Sequence, residues 1–179
     1  MYIPLILGTG RQGRASENAA RYVFERIKQY GAFESELIDA RDFQRCITQN
    51  PKDQDMVDAL REKMQRADGY LIVSPEYNHG YPGELKLLLD EFYDEYEKKP
   101  VGIMGASDGG MGGVRMVEQL RLVAITLKLV PIQPAVYFSN VDKLFNENGT
   151  IKDDSFDKRV DGLLKELTWY ADVLARARA

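Results

Sequence analysis

The sequence has few of the residues on which many enzyme classes depend. Its 179 residues include one cysteine, Cys46, and one histidine, His79. A single cysteine excludes an internal disulfide and a cysteine metal cluster. A single histidine argues against a histidine-based metal site and against a Ser-His-Asp triad. We therefore predict no metal site, and we interpret Cys46 as structural or incidental.

Long apolar runs and an excess of basic charge are also missing. No apolar stretch approaches the length of a membrane span, and the N-terminus has no signal-peptide pattern. The chain carries 24 Lys and Arg against 28 Asp and Glu, so its formal net charge of −4 gives no indication of nucleic-acid binding. With 44% hydrophobic residues, the length suits one domain with a complete core. We predict a single cytoplasmic domain over residues 1–179.

Short apolar runs alternate with amphipathic stretches along the whole chain. The runs at residues 2–7, 70–73, 101–106 and 135–138 predict strands, and residues 34–38 predict a more exposed one. Helical spacing predicts helices at residues 20–30, 56–64, 85–96, 114–129 and 157–178, the first ending at Gly31 and the fourth at Pro131. Five strands alternating with five helices indicate an α/β fold with a parallel sheet covered on both faces.

Three unusual loops follow three of these strands, and we name them the first loop (residues 8–18), the second loop (74–83) and the third loop (106–113). In parallel sheets, ligands bind beyond the carboxyl ends of the strands. The first loop reads Gly-Thr-Gly-Arg-Gln-Gly-Arg-Ala-Ser-Glu-Asn and leads into a helix. Backbone N–H groups, a helix N-terminus and two arginines suit a phosphate.

Two other interpretations of the first loop stay open. It has no Lys-Ser/Thr pair, so it is not a nucleoside-triphosphate loop. Its glycines match only the start of the dinucleotide fingerprint, for which Asp39 would be the acidic residue. Alternatively, the stretch is a solvated turn in which Ser16 caps the helix.

The second and third loops have distinct compositions. The second reads Ser-Pro-Glu-Tyr-Asn-His-Gly-Tyr-Pro-Gly and concentrates aromatic and polar groups that suit a planar ligand, or else tyrosines that pack on the core. The third contains Gly109, Gly110, Gly112 and Gly113. This glycine density predicts either a backbone that approaches something closely or a flexible turn.

Two longer motifs carry a family resemblance. They are Pro-Glu-Tyr-Asn-His-Gly-Tyr-Pro-Gly-Glu-Leu-Lys at residues 75–86 and Gly-Gly-Val-Arg-Met-Val-Glu-Gln-Leu-Arg at 112–121. Over residues 1–140 the chain resembles the NADPH-dependent FMN reductase family, the flavodoxin-like group that also holds quinone, azo-dye and chromate reductases. The resemblance implies a doubly wound five-stranded sheet of order 2-1-3-4-5, FMN as cofactor and NADPH or NADH as electron donor.

The resemblance also implies which residues bind FMN. The phosphate would lie on the first loop and the ring between the other two, at Thr9, Arg11, Ser16, Glu17, Asn18, Pro75, Glu76, Tyr77, Asn78, Ser107, Gly109 and Gly110. The first loop is longer than the family's Gly-Ser-x-Arg-x-x-Ser-x-Asn pattern, so either Arg11 or Arg14 would contact the phosphate. The flavin carries the chemistry, so no catalytic residue is assigned, although His79 could donate a proton to an acceptor.

The resemblance further implies a ping-pong transfer of two electrons to flavins, quinones or similar small acceptors, within a homodimer or homotetramer. We expect Tyr93, Tyr96, Arg115 and Arg121 near the interface, because aromatic and Arg residues are enriched there. Two alternatives remain: a flavodoxin-type electron carrier without NAD(P)H activity, and a nucleotide or sugar-phosphate binding protein.

Overall fold

The computed structural model describes residues 1–43 and 54–178, and Cys46 lies outside these ranges. Five parallel strands form one sheet of order β2-β1-β3-β4-β5, as predicted. The strands are β1 (Leu5–Leu7), β2 (Leu37–Asp39), β3 (Tyr70–Pro75), β4 (Pro100–Ser107) and β5 (Val130–Ser139). The flavodoxin-like fold class is confirmed.

Six α-helices surround the sheet in the described part of the chain. They are α1 (Ser16–Tyr30), α2 (Gln54–Arg66), α3 (Gly83–Leu89), α4 (Val114–Thr126), α5 (Val141–Leu144) and α6 (Ser155–Arg178). As predicted, α1 ends at Gly31, which has a left-handed φ of 69° and donates its N–H to Ile27. The one-turn helix α5 directly follows strand β5.

Two apolar clusters cover the two faces of the sheet. One contains buried side chains of α2, α3 and α4, and the other those of α1 and α6. Neighbouring strand residues separate between them: Ile72 belongs to the first cluster, whereas Leu71 and Val73 belong to the second. This alternation follows from the two-residue period of a strand. The sheet therefore has an apolar surface on each face, and helices pack on both.

The predicted helix at residues 85–96 is wrong beyond Leu89. After α3 the chain forms a separate 3₁₀ turn at Asp94–Tyr96. The Glu95 carboxylate accepts the Tyr93 N–H at 3.1 Å, a local bond that competes with the helical ladder. Tyr96 is fully buried, with its hydroxyl donating to the Leu89 carbonyl. Its side chain is therefore not available to the interface at which we expected it.

The last strand is longer than predicted and contains two prolines. Helix α4 ends at Thr126, before Lys128 adopts a left-handed φ of 62°. Pro131 therefore lies inside β5, together with Pro134, rather than at the end of a helix. Strand β5 forms one edge of the sheet, and an edge strand tolerates the missing proline N–H groups.

Candidate functional site

The three loops converge at the carboxyl edge of the sheet and enclose a cavity of about 300 Å³. The first loop, the second loop, the start of the third loop and helix α5 all contribute walls. The lining residues are Arg11, Gly13, Arg14, Ala15, Ser16, Pro75, Glu76, Tyr77, Ala106, Ser107, Asp108, Val141 and Asp142. The structure thus brings together six of the predicted site residues: Arg11, Ser16, Pro75, Glu76, Tyr77 and Ser107.

Ser16 has an unsatisfied hydroxyl in this cavity. Its side-chain oxygen is buried and has no hydrogen-bond partner within residues 1–43 and 54–178. Ser16 is the first residue of α1, so this oxygen lies at the positive end of a 15-residue helix. A buried polar atom without a partner costs free energy that a ligand can recover. A phosphate oxygen suits both the hydroxyl and the helix terminus.

Arg14 is held by carboxylates and serves the fold. Its side chain is 2% exposed, and its guanidinium donates to both oxygens of Asp39, to the Thr9 carbonyl and to Glu17. Burial alone would raise the pKa of Asp39, but hydrogen bonds from Arg14 and the Arg41 N–H hold that pKa below its usual value. Since Asp39 is bound in this pair, it is not placed to hold a dinucleotide ribose.

Arg11 is the arginine with a free approach to the cavity. It is exposed, and its guanidinium lies 5.9 Å from the centre of the Tyr77 ring, within the range of a cation–π contact. The pair therefore places one cation and one aromatic ring on the same side of the cavity. This arrangement favours Arg11 over Arg14 as the arginine available to a phosphate.

Thr9 lies beneath the cavity and does not line it. It is fully buried, and its hydroxyl bonds to the Tyr77 hydroxyl at 3.0 Å and to Glu84 Oε1 at 2.9 Å. The same Glu84 oxygen accepts the Gly10 N–H at 3.0 Å. We did not predict a role for Glu84, although the 75–86 motif contains it. The sequence carries no signal for this contact, because Glu84 and Thr9 are 75 positions apart.

Asn78 and His79 form the tip of a tight turn. The backbone N–H and C=O groups of Tyr77 and Gly80 exchange two hydrogen bonds of 2.9 Å. Asn78 and His79 have φ values of 51° and 68°, which are the left-handed values of a type I′ turn. Both side chains are exposed and neither lines the cavity, so His79 is not placed as a proton donor within it.

Glu76 connects the second loop to helix α4. Its carboxylate accepts the backbone N–H groups of Arg115 at 3.1 Å and Met116 at 3.3 Å. These belong to the first turn of α4, where N–H groups lack helical partners. The side chain thus caps the helix that follows the third loop. Sequence spacing gave no sign of this contact, because a cap normally lies next to its helix.

The glycines of the third loop meet the protein backbone. A Cβ on Gly112 would lie 2.7 Å from the carbonyl carbon of Tyr137, and one on Gly113 would lie 2.9 Å from the nitrogen of Ala106. Both have left-handed φ values, 60° and 86°. By contrast, Gly110 has open space around it. The predicted close approach is therefore made to strands β4 and β5.

The remaining predicted residues lie around the cavity without lining it. The Glu17 carboxylate is engaged by Arg14 and Arg21, and Asn18 is exposed on the outer side of α1. Gly109 and Gly110 are exposed, and the Gly109 carbonyl accepts the Ser107 hydroxyl at 3.1 Å. These four residues are close in sequence to residues that line the cavity, but they do not line it themselves.

Comparison with known proteins identifies the family. The family model described as NADPH-dependent FMN reductase matches residues 1–143. The chain belongs to this family. Membership makes it an NAD(P)H-dependent flavin oxidoreductase with FMN as cofactor. The three loops meet around the cavity, and the unpartnered Ser16 oxygen in its wall is chemically suited to a phosphate group such as that of FMN.

Relatives of this FMN reductase include proteins from a yeast and a bacterium. The NAD(P)H-dependent FMN reductase C4B3.06c of Schizosaccharomyces pombe is 33% identical over 145 residues, 75% of this chain and 72% of that protein. The FMN-dependent NADPH-azoreductase of Staphylococcus aureus (strain USA300) is 32% identical over 173 residues, 87% of each chain. The flavoenzyme NAD(P)H:(acceptor) oxidoreductase FerB of Paracoccus denitrificans superposes with a TM-score of 0.79 at 18% identity, over 96% of this chain and 97% of that one.

Within residues 1–43 and 54–178, no helix is both long and apolar enough to cross a bilayer. The cytoplasmic location, the oligomeric state and the lack of a nucleic-acid partner stay predictions.

Proposed function

We propose that this protein oxidises NAD(P)H and passes two electrons, in a ping-pong reaction, to free flavins, quinones or similar planar acceptors. The observation that supports an FMN site most directly is the buried Ser16 hydroxyl, which lacks a partner among the described residues and lies where three loops meet. Bound there, FMN would supply the chemistry by accepting a hydride and releasing two electrons.

In this proposal the protein binds and orients the cofactor. Ser16 and Arg11 hold the phosphate, and the second loop borders the ribityl chain and the ring through Pro75, Glu76, Tyr77 and Asn78. Ser107, Gly109 and Gly110 border the opposite side. Pro75 is buried at the end of β3, and the Glu76 N–H bonds to the Ala106 carbonyl at 2.9 Å, so this wall is held by the sheet itself. A rigid wall lowers the ordering cost of binding.

The first test concerns the cofactor. Reconstitution with FMN followed by filtration should retain about one flavin per chain, because the three strand-end loops of the described residues meet at one cavity. Arg11→Ala should weaken FMN binding by roughly tenfold to a hundredfold while riboflavin binding changes little, because only FMN has the phosphate that a charge-assisted bond would reach. A protein that takes up no FMN would contradict the proposal, and equal losses for both ligands would remove Arg11 from the phosphate site.

The second test concerns the reaction. Mixing the FMN-loaded protein with NADPH in a stopped-flow instrument should bleach the flavin, and steady-state plots with a quinone should give parallel lines. His79→Ala should leave flavin reduction nearly unchanged, because hydride transfer needs no protein proton donor and His79 lies outside the cavity. A flavin that NADPH does not reduce would favour the electron-carrier alternative.

We also propose that the protein forms a homodimer or homotetramer through helix α4 and its surroundings. Leu122 is 68% exposed, Ile125 60% and Met111 55%, and Tyr93 contributes a half-exposed ring. Leu122 and Ile125 lie three residues apart on α4, and exposed large apolar side chains that cluster are typical of an interface. Light scattering should show a dimer or larger species, and Leu122→Glu should shift it towards monomer. A strictly monomeric wild type would contradict this proposal.

A further inference from the structure

Glu84 links the first and second loops from below the cavity. It lies in the first turn of α3, which follows the second loop, yet both of its described partners belong to the first loop. Glu84 Oε1 accepts the Thr9 hydroxyl at 2.9 Å and the Gly10 N–H at 3.0 Å. One carboxylate oxygen thus holds two consecutive residues of the segment that leads to the phosphate site.

The donor and the acceptor of each hydrogen bond among Tyr77, Thr9 and Glu84 can be assigned. Burial would raise the pKa of Glu84, but bonds from its own N–H, from Gly10 and from Thr9 outweigh burial and lower it. The carboxylate is therefore ionised near neutral pH and can only accept. Thr9 has one hydroxyl proton, which it donates to Glu84. The Tyr77 hydroxyl, 3.0 Å away, must then donate its proton to Thr9.

The consequence reaches the wall of the cavity. Thr9 Oγ1 accepts from the Tyr77 hydroxyl and from the Arg11 N–H at 3.3 Å, so both of its lone pairs are used. The Tyr77 oxygen keeps only lone pairs for a ligand, and the side chain cannot swing to another χ1 rotamer without breaking its bond to Thr9. Arg11, whose guanidinium lies 5.9 Å from the centre of that ring, is fixed at its backbone by the same Thr9 oxygen.

We propose that Glu84 is a positioning residue for the flavin site: through Thr9 it fixes the Tyr77 ring and presents the Tyr77 oxygen as an acceptor, and through Gly10 it holds the phosphate-binding segment. This inference rests on the proposed FMN function. Glu84 then acts along two routes, which we call the Tyr77 branch (through Thr9 to Tyr77) and the Gly10 branch (directly to the Gly10 N–H). The Tyr77 branch acts on any flavin, whereas the Gly10 branch acts only on a flavin with a phosphate.

The two branches can be separated by comparing riboflavin with FMN in a double-mutant cycle. In the full-length apoprotein, Glu84→Ala should weaken riboflavin binding about fivefold and FMN binding about thirtyfold, because it leaves the Thr9 hydroxyl and the Gly10 N–H without their acceptor. In a Tyr77→Phe background, the riboflavin loss caused by Glu84→Ala should fall to less than about twofold, since the residues act as a unit. Fluorescence titration gives all of these dissociation constants.

Two controls keep the test specific. Glu84→Gln should restore both affinities to within about threefold of wild type, because its amide oxygen accepts the same two bonds. Glu25→Ala removes an exposed carboxylate on the outer side of α1 and should change neither constant. If Glu84→Ala does not fold, Thr9→Val breaks the Tyr77 branch at its middle and enters the same cycle.

Riboflavin losses from Glu84→Ala and Tyr77→Phe that simply add would overturn the inference, as would Glu84→Gln behaving like Glu84→Ala. A wild-type protein that binds neither flavin would instead contradict the proposed function.

Discussion

The first and third loops are both rich in glycine and follow buried strands, β1 and β4, that lie on either side of β3, yet they use glycine differently. In the first loop, Gly13 has a left-handed φ of 66° and open space beside it, so it shapes a turn next to the cavity. In the third loop, Gly112 and Gly113 press against the backbone of β5 and β4. The left-handed glycines therefore shape a turn beside the cavity in one loop and allow tight backbone packing in the other.

The largest effect should follow from adding a methyl group in the third loop. Gly112→Ala would place its Cβ 2.7 Å from the Tyr137 carbonyl carbon at a left-handed φ, so both strain and overlap act against folding. We expect the free energy of unfolding to fall by about 3 kcal/mol or more in urea denaturation. Gly110→Ala, in the same loop but in open space, should stay within about 0.5 kcal/mol of wild type. Equal losses of unfolding free energy in the two variants would contradict the distinction between packed and open glycines.

Arginine substitutions should divide the first loop into a buried half and a ligand-facing half. Arg14→Ala leaves Asp39 without its guanidinium and should lower the free energy of unfolding by about 3 kcal/mol. Because the folded pKa of Asp39 lies below its usual value, the stabilisation from the pair is complete near neutral pH and is lost as the pH falls through that folded pKa. Arg11→Ala, at an exposed side chain, should change stability by less than about 0.5 kcal/mol. Denaturation at pH 7 and at a pH well below 3.8, the usual pKa of an Asp carboxyl, would measure both quantities.

Ser16→Ala should separate ligand binding from stability most cleanly. The Ser16 oxygen has no partner in the described residues, so its removal costs the folded protein no hydrogen bond. We expect unchanged or slightly higher thermal stability of the apoprotein and FMN binding that is about tenfold weaker, with riboflavin binding unaffected. A loss of stability without a loss of FMN affinity would show that this hydroxyl serves the fold instead.

The smallest effect should come from the cap that joins the second loop to α4. Glu76→Ala removes the acceptor for the Arg115 and Met116 N–H groups and should cost about 1 kcal/mol in thermal or urea unfolding. Glu76→Gln keeps an acceptor of the same length and should recover much of that loss. If both variants match the wild type, water replaces the cap and the second loop does not anchor α4.

The sequence predicted the features that depend on local pattern. Apolar periodicity indicated the strands and most helices, and the motifs at 75–86 and 112–121 led to the family. Contacts between distant residues were not predictable. Nothing local shows that Glu84 bonds to Thr9, that Glu76 caps α4, or that the Glu95 carboxylate interrupts the helix after Leu89. The choice between Arg11 and Arg14 likewise depended on Asp39, which lies one strand away.

The two prolines of β5 affect how copies of this protein can meet. A strand at the rim of a sheet offers unpaired backbone groups that another chain can extend into a continuous ribbon. Here one rim carries Pro131 and Pro134, and the other is β2, only three residues long. Neither rim offers a long uninterrupted row of donors for cross-strand pairing. Pairing of edge strands between native copies is therefore disfavoured, so the native state is a poor template for fibril growth.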